Sequence, residues 1–395
     1  MTPDASQYRA IEAATSRRFS IVNGSAGSGK TTIIAAITRH LEQRGETVHL
    51  CAFAGKAAAR LREACQHPAS TIHRLLRFDG TRFNTDTLTG ATVIMDEASM
   101  CDAMLMAALM HRNPDRMILV GDQAQLPPVG RGAPFHDLLT LKPDLVTTLT
   151  TCYRQREAVY QAASAIRSGG RPPDSAVSDG ERWRMRNTGS AEQTQAWIIK
   201  CIRAGALDFS QDVILVARNG KTADEPCTTR GLNTAIVDAI APREAHVKFV
   251  TGDRVICTKN LPAMDCWNGT TGTVHAVDHD GGVWVHLDTP AVDQERTADP
   301  LVTVYKEHVL FGRDIRAHLR LAYALTVHKA QGSSYRRVLV AVFQRDLHHI
   351  LDRSLLYTAV TRTREACCVV GELAAVGAAI DRQSVKRTVM REVGK

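Results

Sequence analysis

Residues 19–32 read Phe-Ser-Ile-Val-Asn-Gly-Ser-Ala-Gly-Ser-Gly-Lys-Thr-Thr, and this stretch decides the fold of the chain. Its apolar start predicts a short strand, and Ile33, Ile37 and Leu41 then recur at helical spacing. Between them, Gly24–Thr31 matches the pattern G-x-x-x-x-G-K-[ST]. A strand, a glycine-rich loop and a helix in this order are typical of a phosphate-binding loop. An ordinary glycine turn before a helix is the weaker alternative.

The loop is predicted to surround the phosphates of a nucleotide. Its glycines let backbone N–H groups turn inward, and the helix N-terminus adds partial positive charge. We expect Lys30 to contact the β- and γ-phosphates during catalysis and the Thr31 hydroxyl to bind Mg²⁺. The predicted nucleotide contacts of the loop are Gly24, Ser25, Ala26, Gly27, Ser28, Gly29, Lys30, Thr31 and Thr32.

Length and composition indicate a water-soluble protein of two or three domains. The chain has 395 residues, of which 44% are hydrophobic and 23% charged, and no run of 18 apolar residues. We therefore predict a cytoplasmic protein without a membrane partner. The ten cysteines form no C-x-x-C pair, which argues against a zinc ribbon or a secreted disulfide framework. The net charge of +8 is compatible with a polyanionic partner.

The first 150 residues alternate predicted strands with predicted helices. Strands are expected at Thr47–Phe53, Thr92–Met95 and Met117–Val120, and a helix begins near Asp4. This alternation predicts a parallel sheet, with ligands bound at the carboxyl ends of the strands. Residues 1–150 are therefore predicted to form an α/β nucleotide-binding domain.

Two acidic residues, Asp96 and Glu97, follow one of these strands directly. In a phosphate-binding-loop enzyme one carboxylate holds Mg²⁺ and another takes a proton from the attacking water. We assign Asp96 to the metal and Glu97 to the catalytic base. Two acids that merely favour the start of a helix are the alternative.

The strand predicted at Met117–Val120 is followed by a polar stretch, Gly121–Gly130, which contains two consecutive prolines. The prolines predict a stiff loop that could relay a change at the γ-phosphate. Within this loop, Gln125 is the polar residue that we place on that phosphate as a catalytic residue.

A short hairpin is predicted between residues 74 and 90. Asp79-Gly80 is typical of a two-residue type I′ turn, which places Phe78 next to the tip. An edge hairpin that caps the sheet is the alternative to a functional role.

The second half of the chain repeats the α/β pattern with an interruption. A helix is expected from Tyr153 to Arg167, and Asp212–Ala217 and Arg320–Leu325 are among the predicted strands of a second sheet. Residues 245–314 contain hairpin turns and alternating strands, which indicate a small antiparallel β domain. We predict a second α/β domain from 151–244 and 315–395, interrupted by this β domain.

Together, these stretches resemble the motifs of the superfamily 1 helicases, and within them of the RecD-like group. The similarity covers nearly the whole chain and keeps the family's motif order. The matching stretches are Gly24–Thr31, Phe53–Leu61, Thr71–His73, Asp96–Met100, Gly121–Gly130, Tyr153–Gln155, Tyr323–Ser333 and Tyr357–Arg364.

The resemblance implies two RecA-like domains with parallel sheets and ATP at the cleft between them. It implies Gln7 near the adenine, Gly332 among the nucleotide contacts, and Arg154 and Arg362 as catalytic arginine fingers. A finger stabilises transition-state charge and is worth about 10³–10⁵ in rate. It further implies that residues 245–314 form an SH3-like barrel and that the hairpin near Phe78 is a pin that separates duplex strands.

The resemblance also implies a single DNA strand bound across both domains. Its implied contacts, besides Phe78, are Lys56, Thr71, His73, Thr326, His328 and Lys329. These residue types suit contacts that position a strand without reading its sequence. His328 could instead be a core histidine. Ala54 departs from the family, which commonly has a threonine there, so one hydroxyl contact is missing.

The sequence therefore predicts an ATP- and Mg²⁺-dependent DNA helicase acting on single-stranded and forked DNA, with replication or recombination proteins as possible partners. Its 5′ to 3′ direction follows from the resemblance alone. One alternative is an RNA helicase or RNA triphosphatase. Another is an accessory subunit, such as the motor of a recombination complex or a DNA-binding clamp.

Overall fold

The computed structural model describes residues 3–153, 157–178, 181–244, 246–292, 305–348 and 350–383. The chain divides into two compact units. Unit 1 is drawn from Met1–Pro172, Asp352–Thr361 and Ile380–Lys395, and unit 2 from Pro173–Leu351 and Arg362–Ala379.

The strands and helices of the described residues are numbered along the chain. The strands are β1 Phe19–Asn23, β2 Thr47–Ala52, β3 Ala69–Thr71, β4 Ala91–Asp96, β5 Arg116–Gly121, β6 Val146–Thr148, β7 Ser175–Ser178, β8 Glu181–Asn187, β9 Val213–Val216, β10 Arg254–Cys257, β11 Thr271–Val277, β12 Val283–Val292, β13 Tyr305–Phe311, β14 Leu319–Leu321, β15 Ala324–Thr326, β16 Tyr335–Val342 and β17 Thr363–Gly371. The helices are α1 Ala5–Ser16, α2 Lys30–Gln43, α3 Gly55–Cys65, α4 Ile72–Leu75, α5 Ala103–Met110, α6 Pro134–Leu141, α7 Ala158–Ser168, α8 Ala191–Arg203, α9 Thr229–Ile240, α10 Gln344–Leu347, α11 Arg353–Val360 and α12 Leu373–Asp381.

Unit 1 is built on a parallel sheet with the strand order β3-β2-β4-β5-β1-β6. Alternate residues of β1, β2, β4 and β5 enter two separate cores. On β4, Ile94 packs in the core that includes Ile34 of α2, whereas Val93 packs in the core that includes Leu105 of α5 and Phe135 of α6. Helices therefore cover both faces, and polar groups collect where parallel strands end.

Two helices that follow residue 150 belong to unit 1, so this compact unit extends past the predicted domain boundary at 150/151. The helix predicted to open at Tyr153 begins at Ala158 in the described residues, and α11 also joins this unit. Arg167 of α7 lies 3.9 Å from the Asp122 carboxylate, just beyond β5. Unit 1 is therefore assembled from distant parts of the sequence.

Unit 2 contains a second sheet with the order β15-β9-β16-β17-β8-β7. All of its pairings are parallel except that of β7 with β8. Ile198 of α8 and Ile236 of α9 pack with Ile214 and Leu339 of the sheet in one core. The predicted second α/β sheet is therefore present.

Unit 2 also contains an antiparallel sheet with the order β13-β12-β11-β10-β14. This sheet confirms the predicted antiparallel strands between 245 and 314 but reaches Leu321. The single strand predicted at Arg320–Leu325 is wrong, because the chain there pairs with β10 and then with β9. The Asn233 carboxamide accepts the N–H groups of Tyr323 and Ala324 at this break. An SH3-like barrel stays a prediction.

The turn predicted at Asp79-Gly80 is also different. Gly80 has φ +110°, but Asp79 is not in the left-handed region, and a type I′ turn needs two such residues. The Asp79 N–H donates to the Arg82 carbonyl, so Gly80 and Thr81 are the central residues. The Asp79 carboxylate accepts the N–H groups of Thr81 and Arg82, which fixes this turn.

The described residues contain neither a membrane-spanning helix nor a disulfide bond. In that part of the chain, every helix is too short or too polar to cross a membrane. All ten cysteines lie there and are free thiols.

Candidate nucleotide-binding site and strand surface

The phosphate-binding loop joins β1 to α2 as the sequence predicts. Gly27 and Gly29 have φ of +79° and +81°, a conformation that L side chains rarely adopt. Gly24 donates its N–H to the Gly121 carbonyl, and a Cβ at Gly24 would lie 2.5 Å from the Ser28 hydroxyl. The loop therefore requires glycine for its backbone shape and for close packing.

Lys30 begins α2 and turns its side chain back over the loop. Its ammonium donates to the Gly24 carbonyl at 2.8 Å and to the Ser25 carbonyl at 3.0 Å. The Thr31 and Thr32 side chains follow in the first turn of the helix, where the partial positive charge of the helix concentrates. The predicted cationic residue thus lies at the predicted loop.

Asp96 and Glu97 are both buried at the end of β4. Burial raises the pKa of Asp96 to about 6; the adjacent Glu97 adds to this effect, and Arg60 and Lys30 oppose it. Lys30 and Asp96 lie at the same edge of the parallel sheet, because β1 and β4 both pair with β5. Glu97 has φ +54° and ψ +36°, and its carboxylate lies 3.8 Å from the Arg60 guanidinium. A left-handed conformation costs a residue with a side chain about 1–2 kcal/mol.

Asp122 and Gln125 are buried in the loop after β5. The Asp122 carboxylate accepts the Ala124 N–H at 3.0 Å, and its backbone carbonyl accepts the Gln125 N–H at 3.2 Å. Because β1 pairs directly with β5, this loop begins beside the phosphate-binding loop. The structure therefore brings Gln125 to the strand ends that carry the predicted site.

Gln7 is fixed to the phosphate-binding loop by its own side chain. Its amide nitrogen donates to the Ser28 carbonyl at 3.2 Å, and its amide oxygen accepts the Asp4 N–H at 3.2 Å. The Tyr153 hydroxyl lies 2.8 Å from the same oxygen and 2.9 Å from the Asp4 carboxylate. Tyr153 therefore contacts residues of the predicted site. The sequence analysis named it only as part of a motif and assigned it no role at the site. An adenine contact of Gln7 stays a prediction.

Sequence reasoning also missed Tyr357 and Thr358 of α11. The buried Tyr357 hydroxyl donates to Asp122 at 2.8 Å and accepts the Ala26 N–H at 3.3 Å. The Thr358 hydroxyl accepts the Leu126 N–H at 3.0 Å. One turn of α11 therefore holds both the phosphate-binding loop and the loop that carries Gln125. The motif that contains Tyr357 was visible in the sequence, but its hydrogen-bond partners were not.

The structure describes only one of the two predicted arginine fingers. Arg154 lies outside the described residues. Arg362 is buried in unit 2, where it donates to the Ser333 carbonyl at 3.4 Å. Gly332, with φ +73°, precedes Ser333 directly. Unit 2 thus brings these two predicted nucleotide contacts together.

Four of the predicted strand contacts lie in unit 1 near the ends of β2 and β3. Lys56 is in the first turn of α3, and Thr71 is buried with its hydroxyl accepting the Arg74 N–H at 3.2 Å. The His73 ring lies 5.6 Å from the Phe78 ring, which lies 4.9 Å from Phe83. Burial lowers the pKa of His73, which favours the neutral imidazole. Thr71 thus caps α4, and Phe78 packs in an aromatic cluster.

The other three predicted contacts follow β15 in unit 2. Thr326 is buried, and its hydroxyl accepts the Lys329 N–H at 3.4 Å. His328 and Lys329 are half-buried. Burial, reinforced by the positive charge of Arg320, lowers the pKa of Lys329. A partly desolvated cation beside a second cation is a favourable place for an anion.

Two known protein families match parts of this chain, one in its first half and one near its end. Residues 2–185 match the model of the AAA domain, and residues 321–370 match the model of the UvrD-like helicase C-terminal domain. The first of these matches covers the phosphate-binding loop and most of unit 1.

Two named relatives are similar to nearly the whole of this chain. The RecBCD enzyme subunit RecD of Mycobacterium tuberculosis is 32% identical over 438 residues, covering 98% of this chain and 72% of that protein. The ATP-dependent RecD2 DNA helicase of Deinococcus radiodurans is 31% identical over 395 residues, covering 96% of this chain and 51% of that protein. The chain thus spans about half the length of the Deinococcus relative.

A solved structure has the same fold. The Pif1 helicase from Bacteroides in complex with ADP-AlF3 and ssDNA matches with a TM-score of 0.51 at 18% identity, covering 93% of this chain and 92% of that one. This similarity confirms the expected RecA-like parallel sheets. The identity to the mycobacterial RecD subunit, over most of both proteins, shows that the chain belongs to the RecD-like group of superfamily 1 helicases.

Proposed function

We propose that this chain is an ATP- and Mg²⁺-dependent DNA helicase that moves 5′ to 3′ along a single strand and unwinds duplexes. The observation that carries the proposal is the arrangement in unit 1, where Lys30 covers the phosphate-binding loop at the same sheet edge as the buried Asp96 and Glu97. A cation and two carboxylates at the same edge of a parallel sheet suit hydrolysis of a nucleoside triphosphate. The names of the RecD and RecD2 relatives support DNA as the substrate.

The side chains of unit 1 fit the roles that hydrolysis requires. The Thr31 hydroxyl and the Asp96 carboxylate are oxygen donors of the kind that Mg²⁺ prefers. Bound Mg²⁺ would supply charge neutralisation at the phosphates. Lys30 exchanges its two carbonyl contacts for phosphate oxygens, Glu97 accepts a proton from the attacking water, and Gln125 orients the γ-phosphate.

Arg362 and Arg154 complete the proposed catalytic set. A guanidinium stays charged at every physiological pH and is well suited to stabilise the negative charge that develops on a transferring phosphoryl group. We expect Arg362→Ala to lower kcat by about 10³–10⁵-fold with a smaller change in KM. Strand-stimulated ATP hydrolysis measures the effect, and an Arg362→Ala enzyme with unchanged kcat would exclude the role.

The proposed DNA contacts divide into two chemical kinds. His73 favours the neutral form and lies among aromatic rings, so it suits stacking on a base more than a charged contact. Lys56, Lys329 and His328 suit backbone phosphates. Phe78 lies beside the Gly80 turn, which supports the proposal that this turn is the pin that separates the duplex.

The hydrolysis site is tested with Lys30→Ala and Glu97→Gln. Both variants should lose strand-stimulated ATP hydrolysis and keep single-strand affinity, because neither residue is among the proposed strand contacts. The exposed Lys142 of the same unit provides the control variant Lys142→Ala, which should match the unchanged protein. Normal turnover by either site variant would refute the assignment.

The substrate and the direction are tested with tailed duplexes. Matched DNA duplexes with a single 5′ tail or a single 3′ tail are mixed with the protein, ATP and Mg²⁺, and strand release is followed. Faster release from the 5′-tailed DNA supports the proposal, whereas a preference for the 3′ tail contradicts the direction. Equivalent RNA duplexes separate a DNA helicase from the RNA helicase alternative.

A second candidate function is the motor subunit of a recombination complex. The specific observation that favours it is the identity to RecD proteins that are named as subunits of the RecBCD enzyme. This candidate keeps the same ATP site and differs in needing other chains. Purified protein that hydrolyses ATP on a single strand but unwinds duplexes only after addition of cell extract would favour it.

A further inference from the structure

A group of four side chains lies on the outer face of the antiparallel sheet of unit 2. His286 of β12 and His308 of β13 are directly opposite each other in the strand register. Valines and leucine on either side of them point inward, since Val285, Leu287 and Val309 are buried in the core of this sheet. The two imidazoles therefore share the opposite face, where direct cross-strand neighbours come within contact distance.

A bulge brings a third histidine to the same place. The register between β11 and β12 shifts between Val274 and Ala276, so His275 is an extra residue of β11. Its ring centroid lies 4.4 Å from that of His308, which lies 5.0 Å from that of His286. His308 is therefore the central member of three imidazoles from three adjacent strands.

A carboxylate completes the group. The register between β12 and β13 also breaks immediately beyond the pair of His286 and His308, beside Glu307. One ligand atom from each of Glu307, His286 and His308 lies within 4.8 Å of the other two. Zn–N bonds of about 2.0–2.1 Å in a tetrahedral site place ligand atoms roughly 3.4 Å apart, so small side-chain rotations close the site.

We propose that His275, His286, His308 and Glu307, the histidine cluster, bind a divalent transition-metal ion, with Zn²⁺ as the first choice. Imidazole nitrogens with one carboxylate form a donor set that suits Zn²⁺, Co²⁺, Ni²⁺ and Cu²⁺ and distinguishes them from Mg²⁺ and Ca²⁺. The site is separate from the Mg²⁺ proposed at Asp96, which belongs to unit 1. Its metal joins three adjacent strands and fixes β13 at the edge of the sheet.

The test uses the full chain after chelator treatment and dialysis, without nucleotide. Zn²⁺ is titrated by calorimetry, and Co²⁺ is titrated by visible absorption. We expect one equivalent of tightly bound metal and a cobalt spectrum without a thiolate charge-transfer band, because the cluster contains no cysteine. His308→Ala and His286→Ala should weaken binding by roughly tenfold or more.

Two controls make the result specific. His279→Ala changes an exposed histidine of the same sheet region outside the cluster and should leave the affinity unchanged. Trp284 is exposed two residues before His286 on the same face of β12, so bound Co²⁺ should quench its fluorescence. This quenching should disappear in His308→Ala.

Either of two outcomes would overturn the proposal. The first is that the unchanged protein binds no metal, or binds it with a thiolate charge-transfer band. The second is that His308→Ala and His286→Ala bind metal as tightly as His279→Ala. Circular dichroism of each variant establishes that it is folded, which is expected because the substituted side chains lie on the outer face of the sheet.

Discussion

Tyr357→Phe removes a single oxygen atom from a buried polar contact of unit 1. The hydroxyl donates to the Asp122 carboxylate and accepts the Ala26 N–H of the phosphate-binding loop. Burial raises the pKa of Tyr357 well above its usual value, so the hydroxyl remains a donor throughout the physiological range. Phenylalanine keeps the packing of the ring, so the variant isolates the two hydrogen bonds.

The expected loss of stability depends on the contacts that the Asp122 carboxylate keeps when the Tyr357 hydroxyl is removed. The Asp122 side chain has no exposed surface, and its carboxylate also contacts the Ala124 N–H at 3.0 Å and the Arg167 guanidinium at 3.9 Å. A hydrogen bond to a charged group contributes about 1.5–3 kcal/mol, and water cannot replace it at a fully buried carboxylate. We expect Tyr357→Phe to lower the free energy of unfolding of unit 1 by about this amount.

Two measurements check this prediction. Urea unfolding followed by circular dichroism gives the stability change at constant m value. Hydrogen exchange of a peptide that contains Gly24–Thr31 should become faster, because the Ala26 amide loses its acceptor. All four tryptophans of the chain lie in unit 2, so their fluorescence reports that unit separately.

Tyr8→Phe is the matched control, since Tyr8 belongs to the same unit and is 65% exposed. It should change neither stability nor exchange. Unfolding of Tyr357→Phe at the same urea concentration as Tyr8→Phe, with the same exchange rate of its phosphate-binding loop, would contradict the stabilising role of the Tyr357 hydroxyl.

Three further predictions concern single residues of unit 1. Ala54 precedes α3 without a capping side chain, so Ala54→Ser should raise the free energy of unfolding by about 1 kcal/mol in urea titrations, and no gain would contradict this. Glu97→Gly and Glu97→Gln should both abolish ATP hydrolysis, but the glycine variant should be more stable by about 1 kcal/mol because glycine tolerates the left-handed conformation. Equal stability would show that Glu97 is unstrained. Phe78→Ala should slow duplex unwinding more than single-strand ATP hydrolysis, and an equal loss of both rates would remove the pin assignment.

Local sequence patterns predicted the phosphate-binding loop and the strand that ends at Asp96, because both depend on neighbouring residues. The capped start of α1 at Asp4 was predictable for the same reason. The contact between Tyr357 and Ala26 joins residues 331 positions apart, and no local pattern contains such information. It depends on how α11 packs in the folded unit.

The errors have equally specific causes. An apolar run such as Arg320–Leu325 shows that a strand is favoured but not which neighbour it pairs with, and here the pairing changes at Tyr323. At Asp79, a side-chain acceptor competed with the expected backbone turn. At Tyr153–Arg167, the helix was predicted but its domain was not, because the domain is decided by long-range partners such as Asp122.

The discontinuous assembly of unit 1 has a consequence for the order of events during synthesis. The partners that α11 supplies to Ala26, Asp122 and Leu126 are translated only after Pro173–Leu351, a stretch of 179 residues. At about 5–20 residues per second, a ribosome needs roughly 9–36 seconds for that stretch. During this interval the nascent phosphate-binding loop exists without the tyrosine that later fixes it. We therefore expect ATP-binding competence to emerge only after α11 has been translated.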